Sequence, residues 1–236
     1  MSSPYTRLSI IIPMYNEEST IAQVLEEIAG VDLGGISKEV IAVDDGSTDR
    51  SAQIVQQFAE RSPLDVNLVI SPENLGKGAA IRQGLEHITG DIVLIQDADI
   101  EYDPQDYPKL LAPILSGQAQ VVYGTRFHRK IKGMAWPNRL ANWILPRLAN
   151  LLYGTALTDE ATAYKVFTAE VIKSIKLRCV GFEFCPEVTA KIARAGYEIY
   201  EVPISYQPRS TPAGKKIRWT DGVIAIWTLI KYRFLH

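Results

Sequence analysis

The chain has 236 residues (26.3 kDa), 47% of them hydrophobic and 22% charged, with a formal net charge of −2. This is too apolar for a disordered chain and long enough for one sizeable core, and no run approaches the ~20 consecutive apolar residues of a membrane-spanning helix. Two cysteines, Cys179 and Cys185, argue against a disulfide framework or a cysteine-ligated metal site and read as ordinary thiols of a reducing compartment.

The opening MSSPYTRLSIIIP has neither a basic start nor a cleavage site, so no secretory signal is expected. Its β-branched RLSIIIP run predicts a strand. Residues 17–29 place Ile21, Val24, Leu25 and Ile28 at helical spacing. EVIAVDD predicts a second strand, and STDRSAQIVQQFAE a helix capped by Ser47 or Thr48. VNLVIS, DIVLIQ and QVVYG predict further strands. Helices over 76–88 and 104–116 fall between them, the latter capped by Asp103 ahead of Pro104. This alternation over the first 125 residues predicts an α/β fold, with a mainly parallel sheet covered by helices on both faces. Such sheets bind ligands beyond the carboxyl ends of their strands, where PMYNE, DDGSTD and DADIE fall. The second half is less regular. Residues 136–154 predict one or two amphipathic helices bent at Pro146, EFCPEVTAKIARAG a helix stopped by Gly196, YEIYEVPISYQ a strand, and 219–236 another amphipathic segment.

Charge is divided along the chain. Residues 1–106 carry 19 acids against 6 bases, and residues 107–236 carry 8 acids against 19 bases. The acidic half is suited to a cation and the basic half to anions: phosphates, nucleic acid or a membrane surface. In DIVLIQDADIEYDP, Asp97 and Asp99 leave a strand end on the same side, with Glu101 close behind. Like charges at that spacing repel, so a divalent cation, Mg²⁺ or Mn²⁺, is expected between them and a diphosphate; the alternative is an ordinary capped loop. Asp44 and Asp45 end another strand, where either would accept hydrogen bonds from a ribose or base, although Asp-Gly is equally a turn signal. Tyr15 is a stacking platform and Glu17 an acceptor. Lys77, between two glycines at a helix start, marks an anion site, though NLGKGAAIRQG is neither a P-loop nor a dinucleotide fingerprint.

IPMYNEE, VDDGSTD, NLGKGAA, DADIEYDPQD and YGTR, in this order and spacing over residues 8–126, resemble glycosyltransferase family 2 with its GT-A fold. The second half, with LTDEATAYKVF, GFEFCPEVTAKI and RSTPAGKKI, more loosely resembles the polyprenyl-phosphate sugar transferases of the dolichol-phosphate mannosyltransferase kind. The resemblance implies one GT-A domain over 1–236, with a nucleotide-sugar and metal half (1–125) and an acceptor and membrane-facing half (126–236). Pro13, Tyr15, Asn16, Glu17, Asp44, Asp45, Lys77, Asp97 and Ala98 would hold the nucleotide. Asp97, Asp99 and Glu101 would hold the metal; Glu101 stands where mannosyl relatives often carry Gln. Arg126, Arg139, Lys215 and Lys216 would meet the acceptor phosphate, and Asp99, Arg126 and Asp159 would form the catalytic set.

The implied reaction is inverting transfer of a hexose from a GDP-mannose or UDP-glucose type donor to a polyprenyl or dolichyl phosphate. The helices at 136–152 and 220–235 would lie in the membrane interface or else pack on the sheet. The protein is then expected to be cytoplasmic, peripheral on the membrane, and without a nucleic-acid partner. One alternative is a soluble saccharide or protein acceptor, with Asp159 as general base. A second is a non-catalytic nucleotide-binding module. His87, His128 and His236 have no triad-like setting and are read as surface residues.

Overall fold

The computed structural model describes residues 5–128, 136–208 and 219–235. The β-branched runs form strands: β1 (Arg7–Met14), β2 (Ser37–Asp44), β3 (Asp65–Ile70), β4 (Ile92–Ile95) and β5 (Val121–Thr125), joined in the second half by β6 (Lys165–Thr168) and β7 (Tyr200–Pro203). They make one seven-stranded sheet in the order β3-β2-β1-β4-β6-β5-β7. β1 pairs in parallel with β2 and β4, β2 with β3, and β5 with β7. β6 is inserted antiparallel between β4 and β5. The sequence reading did not anticipate β6 or the short helix α6 (Ala169–Ser174) that follows it.

Side chains of β1 alternate between two cores, as the two-residue repeat of a strand requires. Leu8, Ile10 and Ile12 pack with Val24, Leu25, Phe58 and Leu110, which come from α1 (Ile21–Ala29), α2 (Ser51–Arg61) and α4 (Tyr107–Leu115). Ile11 faces the other way, joining Ile41 and Val43 against Ile81, Leu145, Val188 and Leu229. Those four belong to α3 (Lys77–Leu85), α5 (Trp136–Tyr153), α7 (Phe184–Arg194) and α8 (Trp219–Phe234). The sheet is therefore covered on both faces, as alternation implied. Of the one or two helices expected over 136–154 the structure forms one, α5, with Pro146 inside it.

One expected cap is corrected. α2 starts at Ser51, and Asp49 Oδ1 accepts from the Ser51 backbone nitrogen (2.9 Å). Ser47 and Thr48 are drawn to Asn16 instead: the Asn16 amide donates to Ser47 Oγ (2.9 Å), and its side-chain oxygen accepts from the Thr48 amide (2.8 Å). Asp103 does cap, accepting from the Gln105 amide (2.9 Å) at the 3₁₀ turn Pro104–Asp106 that leads into α4.

Candidate active site

Because β2, β1 and β4 are adjacent and parallel, their carboxyl ends open on one edge of the sheet. Asn16, just past β1, adopts φ +52°, a left-handed conformation that Asn tolerates better than most residues. Glu17 takes the Thr20 hydroxyl on Oε2 (3.0 Å), and that hydroxyl also lies 2.9 Å from the Ala98 carbonyl, its alternative acceptor. The loop after β1 is thereby tied to the loop after β4. Pro13 lies half-buried in β1 opposite Val43, and Tyr15 is half-buried beside it.

Asp44 and Asp45 are both buried, at 3% exposure. Asp44 Oδ1 accepts from the Ser47 amide (3.0 Å). Asp45 clamps the loop before α3, with Oδ1 taking the Leu75 amide (2.8 Å) and Oδ2 the Gly76 amide (2.8 Å). Both carboxylate oxygens of Asp45, expected to face a nucleoside, take backbone donors in this structure. The clamp seats Lys77 at the first position of α3, where its ammonium pairs with Asp97. Burial alone would lower the Lys77 pKa; the Asp97 carboxylate outweighs it and holds the ammonium above its usual value.

Asp97 and Asp99 are half-buried at the end of β4. Asp99 Oδ1 accepts from the Glu101 amide (3.0 Å), an Asx-type turn that reverses the chain. Glu101 Oε2 accepts from the Tyr206 hydroxyl (2.7 Å), next to the Tyr102–Tyr206 bridge. Among the described residues no three acidic, histidine or cysteine side chains converge as a ready-made metal cluster. Of the expected trio, Glu101 meets Tyr206 through Oε2, while Asp97, paired with Lys77, and Asp99 stand at the end of β4. Two hard carboxylates fit Mg²⁺ or Mn²⁺, which commonly take one or two protein ligands and fill the rest with substrate phosphate and water.

Past β5 stands a second polar centre. Arg126 is 8% exposed and Asp159 1%. Their pairing is bidentate, Nε to Oδ2 at 2.7 Å and Nη2 to Oδ1 at 2.7 Å, and the Arg126 amide adds a third bond to Oδ2 (3.0 Å). Glu201 Oε1 in turn accepts from the Asp159 amide (2.9 Å), and the guanidinium lies 5.1 Å from the Tyr206 ring centroid. Arg126, expected to meet a phosphate, is paired with Asp159 in this structure. Asp159, with both oxygens on the guanidinium, is no free base. Arg139 is exposed on α5, His87 and His128 are exposed, and Lys215, Lys216 and His236 lie outside the described residues.

The sequence reading missed a buried polar floor beneath these loops. Lys165, fully buried in β6, donates to the carbonyls of Glu160 (2.7 Å) and Thr162 (2.9 Å) and sits 4.0 Å from the centroid of the Tyr123 ring. Glu160 Oε1 meets the Thr189 hydroxyl (3.2 Å), and burial pushes its carboxyl up. A lysine inside the apolar run TAYKVF was the available signal. Cys185, at the start of α7, lies near Lys165, Glu160, Lys77 and Asp97, and burial raises its thiol.

Residues 9–175 match the family described as Glycosyl transferase family 2. Over 233 residues the chain is 33% identical to the low-salt glycan biosynthesis hexosyltransferase Agl6 of Haloferax volcanii, covering 97% of this chain and 53% of that protein. It is 32% identical to the undecaprenyl-phosphate 4-deoxy-4-formamido-L-arabinose transferase of Edwardsiella ictaluri (86% and 60% covered). To the dodecaprenyl-phosphate galacturonate synthase of Rhizobium johnstonii it is 26% identical (88% and 61%). The chain thus spans between half and two thirds of these relatives. Its fold matches glucosyl-3-phosphoglycerate synthase of Mycobacterium tuberculosis, crystallised with Mn²⁺, uridine diphosphate and phosphoglyceric acid. The TM-score is 0.78 at 23% identity, over 99% of this chain and 80% of that one. With its strand-end loops carried on a sheet of that GT-A fold, the chain belongs to glycosyl transferase family 2.

Proposed function

We propose that this protein transfers a hexose, with inversion, from a nucleoside diphosphate sugar to a polyprenyl phosphate. The observation that carries the reading is the pairing of Lys77 with Asp97, two residues before Asp99, where α3 begins and β4 ends. A cation at a helix start and two rim carboxylates together suit a metal-bound diphosphate. Asp97 and Asp99 would hold Mg²⁺ or Mn²⁺, and such an ion, when bound, neutralises charge on a departing diphosphate. Lys77 would then exchange Asp97 for phosphate oxygens. Tyr15 and Glu17 would border the nucleoside, with Asp44 and Asn16 holding the loops that shape its pocket.

The acceptor reading draws on the relatives named for undecaprenyl- and dodecaprenyl-phosphate. It also draws on Asp159. An alcohol acceptor needs a base, whereas a phosphate is already anionic near neutral pH. The occupied carboxylate of Asp159 suits the latter, leaving rate enhancement to alignment and charge neutralisation. A lipid acceptor calls for a peripheral position on the cytoplasmic face of the membrane. Among the described residues no helix is long and apolar enough to cross one. Trp143 and Leu151 of α5 and Trp227 and Phe234 of α8 are nevertheless exposed, a composition suited to the interface.

The test is a donor screen by thermal shift with Mn²⁺, followed by transfer assays with and without EDTA. Turnover on polyprenyl phosphate that EDTA abolishes, and that Asp97→Asn with Asp99→Asn reduces at least about a hundredfold, is expected. Turnover on free saccharides in place of lipid phosphate, or turnover indifferent to EDTA, overturns the reading.

A further inference from the structure

The flank formed by α7 and α8 carries a cleft that the proposed reaction does not use. β7 runs parallel to β5, and α7 ends just before it, so the carboxyl end of α7 lies on the side of the sheet away from Asp97 and Asp99. There the 175–178 segment and the carboxyl ends of α7 and α8 enclose about 400 Å³, lined by Lys176, Arg178, Lys191 and Arg194 together with Tyr232 and Leu235. Two of the four cations have a structural purpose. Arg194 Nη1 donates to the carbonyls of Tyr232 (2.5 Å) and Leu235 (2.6 Å), and Lys191 pairs with buried Glu187 and reaches the Lys176 carbonyl. Helix carboxyl ends attract such groups through their free carbonyls. That reason does not extend to Lys176 and Arg178, which are exposed on the rim. Among the described residues no carboxylate lines the cleft, and Glu187 lies beneath it, buried against Lys191.

The cleft also terminates an apolar stripe. Val223, Trp227 and Phe234 are exposed at 55%, 61% and 74%, at helical spacing along one side of α8, and Leu235 (55%) is both the end of that stripe and part of the cleft wall. Basic side chains bordering exposed apolar ones complement a surface that is anionic outside and hydrocarbon beneath.

We propose that this cleft receives the phosphate-bearing headgroup of an anionic phospholipid. Phe234 and Leu235 enter the acyl boundary while Lys176 and Arg178 meet the phosphate, fixing how α8 lies on the membrane. The inference names the lipid class behind the membrane contact proposed above, and vesicle binding reads it without any turnover.

The experiment is co-sedimentation of the full chain with vesicles of phosphatidylcholine, alone or mixed with phosphatidylglycerol. Binding to the mixed vesicles that weakens with salt is expected, and Lys176→Glu with Arg178→Glu should lower it at least about tenfold. The milder Lys176→Gln with Arg178→Gln should show a smaller loss. Both variants should keep the wild-type melting temperature and wild-type turnover on a short-chain, water-soluble acceptor phosphate. Equal binding of variant and wild type to the mixed vesicles overturns the proposal. So does inorganic phosphate bound through these residues with vesicle binding unaffected, which would make the cleft a free-anion site. A wild type that binds mixed vesicles through Lys176 and Arg178 yet transfers no sugar to lipid phosphate refutes the proposed reaction and leaves the headgroup site standing.

Discussion

The Arg126–Asp159 pair is buried and closed by two side-chain bonds of 2.7 Å. Removing one member of such a pair leaves the other buried without its counter-charge, at about 3–5 kcal/mol. Asp159→Asn is expected to lower the urea midpoint accordingly at unchanged m-value, and Arg126→Met with Asp159→Leu to recover part of that stability. Glu160, next in sequence, predicts a pH dependence. Burial raises its carboxyl, although Lys165 and the Thr189 hydroxyl oppose the shift, and its Oε2 has no hydrogen-bond partner. The folded state therefore holds the Glu160 proton more tightly than the unfolded chain does. Ionisation destabilises the fold as pH rises from the unfolded value, about 4.3, through the folded one. Glu160→Gln should gain on the wild type across that window and lose the gain in acid. Unfolding free energies at acid and neutral pH check the sign, and a difference independent of pH refutes it. At this scale the sequence spoke of chemistry but not direction. It marked Asp45, Asp97, Glu101, Arg126 and Asp159 as polar residues at strand ends. Which of them would be consumed by Leu75, Lys77, Tyr206 or one another depends on neighbours 20 to 105 residues away.

Among the elements, α3 is the one whose placement the site depends on. Gly76 precedes it with φ +100°, and a Cβ there would stand 2.6 Å from the Val180 carbonyl oxygen. Gly76→Ala is thus both strained and obstructed. It should cost about 1–3 kcal/mol and weaken donor binding by displacing Lys77. Gly196 makes the contrast: φ is +87° but nothing lies within 4 Å, so Gly196→Ala should cost about 1 kcal/mol and leave the donor alone. Melting temperature together with donor titration separates the two. Periodicity made α1 to α4 and β1 to β5 legible, because their apolar spacing states which face is buried. β6 was not legible. It has four residues, begins with a lysine and is buried on both faces. Nothing local distinguishes such a segment from a loop; its identity comes from the gap between β4 and β5 that it fills.

For the whole molecule, that gap matters more than any single contact. The donor-side loops arise from the first 125 residues, yet β4 and β5 never touch in the sheet; β6, from the second half, lies between them, and β7 closes the far edge beyond β5. A fragment of residues 1–125 would present β4 with an open side and β5 with two. Unpaired strand edges aggregate, so this fragment should be insoluble when produced alone, whereas the full chain is expected to be soluble. Soluble, folded 1–125, seen by sedimentation and circular dichroism, would contradict this.

The same insertion orders events during synthesis. A ribosome releases the chain from its amino end, so β1 to β3 can associate early, while β5 waits beside β4 for a neighbour not yet translated. Nascent chains stalled before Thr168 clears the exit tunnel should stay protease-sensitive around β5, and only longer ones should become resistant, because the sheet is completed from its middle outward.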